Sequence, residues 1–215
     1  MASRMKEYYG KPVAENLREI VEPKDTALLV WDVQYDIASR AFNVQEILSN
    51  LKALLPVARS AGVQVIYSHQ TAYPLDQEGP VWIRQRMRNA GVDDPSKMPA
   101  RLVEGTRGWE VFDEVKPQPG DLVFKKRRPT AFIGSEFEMM VRNRGVKTIV
   151  LTGVSTEGGI EGTARDGLVL GYYMVVVKDC VGSSRKEGHE LALKYMEGVF
   201  DVTDTQTLAG LWSKR

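Results

Sequence analysis

Mostly apolar runs of about five residues recur along the chain, separated by stretches with helical spacing. Ala27-Leu28-Leu29-Val30-Trp31, Val63 to Tyr67, Leu122-Val123-Phe124, Thr148-Ile149-Val150-Leu151 and Tyr173 to Val177 read as strands covered on both faces. Between the first two, Ile47, Leu48, Leu51, Leu54, Leu55 and Ala58 repeat at helical spacing from Val44 to Ser60, and Gly62 supplies a stop. A second helix is predicted from about Ser135 to Arg144, with Phe137, Met140 and Val141 on one face and Gly145 at its end. A third spans Arg185 to Val199, followed by a short edge strand at Phe200-Asp201-Val202.

A strand, a helix of this length and a strand make one right-handed unit with parallel strands. The alternation therefore predicts an α/β, three-layer Rossmann-like fold with a mainly parallel sheet of about six strands. Such sheets bind ligands beyond the carboxyl ends of their strands. Asp32, Lys126 and the loop at 153–159 all fall at such ends and are expected to converge. Residues 1–26 read as an N-terminal arm, with Tyr8-Tyr9-Gly10-Lys11-Pro12 and an amphipathic patch near Leu17 and Ile20, and 27–215 as a single domain. The stretch 68–103 reads as irregular, with Pro74, Pro80, Pro95 and Pro99 around the basic run Trp82 to Arg88. An excursion of that length serves a site or a subunit contact.

Charge and composition narrow the partners. Lys plus Arg number 29 and Asp plus Glu 28, a formal charge of +1, so no long-range pull on nucleic acid or an anionic membrane is implied. A small molecule is the expected ligand. The single cysteine, Cys180, excludes an intrachain disulfide, fits a reducing cytoplasm, and reads as a small buried hydrophobe. Charged residues interrupt positions 1–22, leaving no apolar core for a secretory leader, and no run approaches a membrane span. His69 and His189 form no ligand cluster in sequence, so neither a metal nor any other cofactor is expected. His69 reads as a pocket residue and His189 as part of a surface helix. The glycines at 153, 158, 159 and 162 spell neither a dinucleotide fingerprint nor a P-loop.

The chemistry concentrates in Thr152 to Asp166, where a buried strand passes through a glycine-rich turn into a helix and presents backbone N–H groups above the sheet. Thr156 is the expected N-cap, and Glu157 or Glu161 would complement the helix dipole. Asp32 ends an apolar run, where a carboxylate needs a partner or a rim position.

Three segments together resemble the isochorismatase-like hydrolases, also called cysteine hydrolases: Leu28 to Gln34 with its Asp-x-Gln, Lys126 to Phe132, and Thr152 to Asp166. The similarity covers about residues 26–205. In that family the resemblance implies an Asp that deprotonates a cysteine, a Lys that orients the Asp, a cis peptide that here falls at Val154–Ser155, and loop N–H groups that hold an oxyanion. Here Gly159 stands where most members carry the cysteine, so covalent attack by that route is closed. Isochorismatases that cleave a vinyl ether also resemble the chain at Gly159, although they carry an aromatic residue at Ser155 and a His at Glu157. The resemblance makes Asp32, Lys126 and Gly159 the catalytic positions. Gln34, Gln70, Trp82, Arg84, Ser155, Thr156 and Gly158 are the expected substrate-binding positions, with Arg86 a further candidate for a carboxylate grip. The expected activity is hydrolysis of an amide C–N or vinyl ether bond by Asp/Lys acid–base chemistry. Conversion of isochorismate to 2,3-dihydroxy-2,3-dihydrobenzoate and pyruvate, or binding without turnover, are the alternatives. A homodimer or homotetramer is the assembly the family implies.

Overall fold

The computed structural model describes residues 5–213. A small hairpin, β1 (Lys6–Tyr8) with β2 (Lys11–Val13), precedes a short helix α1 (Leu17–Ile20). The main sheet follows: β3 (Thr26–Trp31), β4 (Gln64–Gln70), β5 (Leu122–Lys126), β6 (Thr148–Val154), β7 (Tyr173–Gly182) and β8 (Asp201–Thr203). All six strands run parallel in the order β5-β4-β3-β6-β7-β8. Strand order therefore reverses between β3 and β6, the crevice where such sheets take their ligands.

The helices are α2 (Tyr35–Ala38), α3 (Val44–Ala61), α4 (Pro80–Ala90), α5 (Phe137–Asn143), α6 (Glu161–Val169), α7 (Lys186–Met196) and α8 (Thr205–Trp212). Alternating strand residues feed two cores. Leu28, Val30, Tyr67 and Val150 face α3 and α8 through Ile47, Leu51, Leu208 and Trp212. Ala27, Leu29, Trp31, Ile66 and Leu151 face α5, α6 and α7 through Phe137, Ala164 and Met196. Each large aliphatic side chain buried in this way contributes about 1.5–3 kcal/mol against exposure.

Several elements depart from their expected form. β4 and β5 each run to the rim, and β7 doubles in length, so Gln70 and Lys126 belong to strands rather than loops. The stretch expected to be irregular contains α4: Pro80 stands at its first position, where no N–H is missed, and Gly91 caps it with φ 68°. The terminal helix α8 was not anticipated; Asp204 caps it by accepting from the Thr207 N–H. His189 is buried at 7% exposure rather than placed on a surface. Among the described residues no helix is long and apolar enough to cross a membrane.

Candidate active site

The end of β3 sets the geometry. In the parallel register Trp31 lies level with Ser68 on one side and Gly153 on the other. A Cβ on Gly153 would stand 2.0 Å from the Trp31 carbonyl oxygen, so only glycine lets the two backbones approach. Beyond this point Asp32 adopts φ 50°, a left-handed conformation that aspartate tolerates better than most residues.

Asp32 is buried at 4% exposure and fully engaged. Ser68 Oγ donates to its Oδ1 at 2.6 Å, and Lys126 Nζ donates to its Oδ2 at 2.6 Å. Lys126, 1% exposed, also donates to Gln70 Oε1 at 2.6 Å and to the Arg128 carbonyl at 3.4 Å. Its ammonium lies 3.8 Å from the centroid of the Trp31 ring. Burial pushes the Asp32 carboxyl above its ordinary range, against the pull of Lys126 and the hydrogen bond from Ser68. Burial also pushes Lys126 down, against the field of Asp32. Burial thus disfavours both charges, and their mutual attraction opposes it.

Gly159 lies against the Trp31 indole. A Cβ at 159 would fall 2.1 Å from Trp31 Nε1 and 2.3 Å from Cε2, inside the indole. The ring, 1% exposed, thus lies against both the Lys126 ammonium and the backbone at Gly159. Sequence reading placed Trp31 only as the last residue of a strand, and its signal was the pairing of an unusually large residue before Asp32 with a glycine on the loop.

The loop does not begin as an N-capped α-helix. The Val154–Ser155 bond is cis, and Thr156–Ile160 forms a π-turn before α6. Thr156 Oγ1 donates to the Gly182 carbonyl and lies 2.8 Å from His189 Nδ1, so it ties the loop to β7 and α7 instead of capping. Glu157 accepts from Ser183 and Arg185. The N–H groups of Gly158 and Ile160 turn back on the Ser155 carbonyl at 3.3 and 3.1 Å. Ser155 is half-buried, with its Oγ 2.7 Å from where a Cβ on Gly158 would stand.

Gln34 is fully buried and cross-braces the rim: its Nε2 donates to the carbonyls of Gln70 and Trp109, and its Oε1 accepts from Gln70 N–H. Beside this brace lies a cleft of about 380 Å³ whose wall includes Gln70, Trp82 and Arg86. Gln70 belongs to both regions, lining the cleft and holding Lys126. Arg84 is exposed on α4 and does not line the cleft. His69 lies on the opposite face of β4 from Gln70, packed edge-on against Trp109 in a shallower groove. Ser68 escaped sequence reading, although its register with Trp31 puts its hydroxyl beside Asp32. Cys180 is buried, with its Sγ 3.2 Å from Thr205 Oγ1. Among the described residues no group of three His, Cys, Asp or Glu side chains is placed to hold a metal ion.

A family model described as Isochorismatase domain matches residues 26–207. The ureidoacrylate amidohydrolase RutB of Caulobacter segnis is 32% identical over 201 residues, covering 86% of this chain and 84% of that protein. Its counterpart from Pantoea ananatis is 30% identical over 187 residues, covering 80% and 74%. A crystal structure of a cysteine hydrolase from Pseudomonas syringae pv. phaseolicola superimposes with a TM-score of 0.78 at 23% identity, over 91% of this chain and 95% of that one. N-carbamoylsarcosine amidase from Thermoplasma acidophilum gives 0.67 at 25% identity, over 84% and 96%.

Proposed function

The chain belongs to the isochorismatase family of hydrolases, and on that footing we propose that it cleaves an amide-type C–N bond of a small polar substrate, with water as the nucleophile and the Asp32–Lys126 pair moving the proton. The observation that carries this reading is that pair, held at 2.6 Å where strand order reverses and linked to the cleft through Gln70. Ureido compounds are the favoured substrates, because the curated relatives named above are ureidoacrylate amidohydrolases.

In this scheme the substrate enters along the cleft and displaces the Gln70 amide from Lys126. Water adds to the carbonyl carbon, Asp32 takes its proton, and the C–N bond breaks as that proton passes to the leaving nitrogen. Lys126 keeps the developing negative charge close to an ammonium in a water-poor site. Gly159 contributes no side chain to the reaction; Trp31 fills that space. The elevated Asp32 supports a second reading, in which the same carboxyl donates a proton to a vinyl ether carbon.

The test is turnover by the purified protein on ureido acids, simple amides and isochorismate, each repeated with Asp32→Asn. Release of ammonia or pyruvate that disappears in the variant supports the scheme. Turnover that survives in the variant, or saturable binding with no turnover of any member of the panel, overturns it. We further infer a reducing compartment, supported by the one buried thiol, and a dimer or tetramer, the assembly the family implies, which sedimentation checks.

A further inference from the structure

Five arginines, Arg40, Arg86, Arg101, Arg127 and Arg128, line the cleft beside Gln70. Among the described residues Glu78 is the one carboxylate on that lining, and it is spent on Arg128 at 2.9 Å. Three of the others are held by carbonyls, with the Glu78 charge also acting on Arg86. Arg86 donates to the Tyr73 carbonyl, Arg127 to the Ala72 carbonyl and Arg101 to the Asp36 carbonyl. The Asp36 carboxylate accepts from the Leu102 N–H, and its charge also acts on Arg101. Among the described residues the Arg40 side chain forms no hydrogen bond or ion pair, and its charge repels that of Arg101. Aromatic rings fix two of the planes: Arg128 lies 4.8 Å from the Trp82 centroid and Arg127 4.8 Å from that of Tyr73.

Guanidiniums aimed into a cavity and satisfied by carbonyls keep their forks for planar oxyanions. A monoanion would leave most of this charge uncompensated, and about 380 Å³ falls within the range of small-molecule sites rather than single-ion sites. We propose that the cleft takes a small molecule bearing two separate anionic groups, one of them gripped between Arg40 and Arg101. This assignment rests on the hydrolase reading of the site and names its substrate class: a ureido compound with two carboxylates, in preference to a ureido monoacid. The second anionic group meets Arg86 and Arg127 nearer Gln70, and orients the scissile bond toward Lys126.

Calorimetric titration of the protein and of its Asp32→Asn variant tests the charge requirement separately from the chemistry. The probes are N-carbamoyl-aspartate, a ureido dianion, N-carbamoyl-β-alanine, a ureido monoanion, and phenyl phosphate, used at about 0.01 M ionic strength where screening is weak. The dicarboxylate is expected to bind at least about tenfold more tightly than the monoacid in both proteins. That preference should shrink severalfold in Arg101→Gln and in Arg40→Gln. Arg40 is exposed, so its variant reads the site even where Arg101→Gln fails to fold. Equal affinities for the two ureido acids, a preference unchanged in Arg40→Gln, or tightest binding of phenyl phosphate would overturn the assignment. A dianion preference without turnover of any substrate would sink the reaction and keep the cleft; turnover of monoacids without that preference would do the reverse.

Discussion

The indole of Trp31 occupies the space that a side chain on Gly159 would need, with Nε1 only 2.1 Å from the position of its Cβ. The two residues are therefore a matched pair, large on the strand and absent on the loop. Gly159→Ala and Gly159→Cys must displace a buried ring that also faces Lys126. Such overpacking is expected to cost about 1–3 kcal/mol, read as a lower midpoint in urea. Trp31→Val combined with Gly159→Cys should recover part of that loss, giving a coupling of about 0.5–3 kcal/mol in a double-mutant cycle. Additive losses would show that the ring and the loop do not compete for one space.

The Asp32–Lys126 pair predicts a different pattern. Asp32→Asn or Lys126→Met strands one buried group without its charge partner, and each is expected to destabilise the fold by about 3–5 kcal/mol. Replacing both, as Asp32→Asn with Lys126→Met, should cost less than the sum of the two. Activity should fall about 10²–10⁴-fold in either single variant, the range for losing a positioned proton carrier. Equal activity in Lys126→Met and the parent would remove Lys126 from the reaction.

Much of this arrangement was legible in the sequence, and the reasons are local. Strands covered on both faces show as unbroken apolar runs, so the sheet and the convergence of Asp32 with Lys126 followed from topology. Helix α4 was obscured because its apolar face is thin and its first residue is Pro80, which suggests a loop until it is recognised as a helix start. The role of Thr156 was misjudged because a capping residue and a tether to another element have the same composition; only the positions of Gly182 and His189 distinguish them. The arginine cleft is built from residues as far apart as Arg40, Arg86 and Arg127, and no periodicity joins them. Trp31 against Gly159 is a contact between residues far apart in the chain, visible only once β3 and β6 are paired.

Stability should fall on both sides of neutrality, for separate reasons. Burial lowers His189 and His69 below their ordinary 6.5, with Lys125 adding to the shift of His69, while Glu157, Glu190 and Glu46 oppose that of His189. The unfolded chain then binds protons that the folded one refuses, so stability present above pH 6.5 is lost as pH falls through the folded values. On the alkaline side burial pushes Cys180 up to about 12 from an ordinary 9.0, and it also raises Tyr67. That contribution is complete below pH 9.0 and is lost as pH rises toward 12, at up to about 1.4 kcal/mol per pH unit for each proton. Urea midpoints across the pH range check both arms. Cys180→Ala should flatten the alkaline arm, and an unchanged slope would remove the thiol from that account.

Gln34 offers the sharpest test of how the rim holds the reacting groups. Its side chain touches Gln70 twice, accepting from the N–H at 2.9 Å and donating to the carbonyl at 3.1 Å, and donates to the Trp109 carbonyl at 2.7 Å. Gln34→Leu keeps the volume roughly constant but removes the donor of the Gln70 and Trp109 carbonyls and leaves the Gln70 N–H to Asp32 alone. Each orphaned group costs about 1–3 kcal/mol, less whatever water recovers, so a total loss of about 2–4 kcal/mol is expected. Gln70 would then lose the fixed backbone from which its side chain reaches Lys126. The consequence for catalysis should appear mainly in kcat, because the distance between cleft and proton carrier changes while the arginines stay in place. A variant as stable as the parent, or one impaired only in KM, would show that Gln70 keeps its place without the brace.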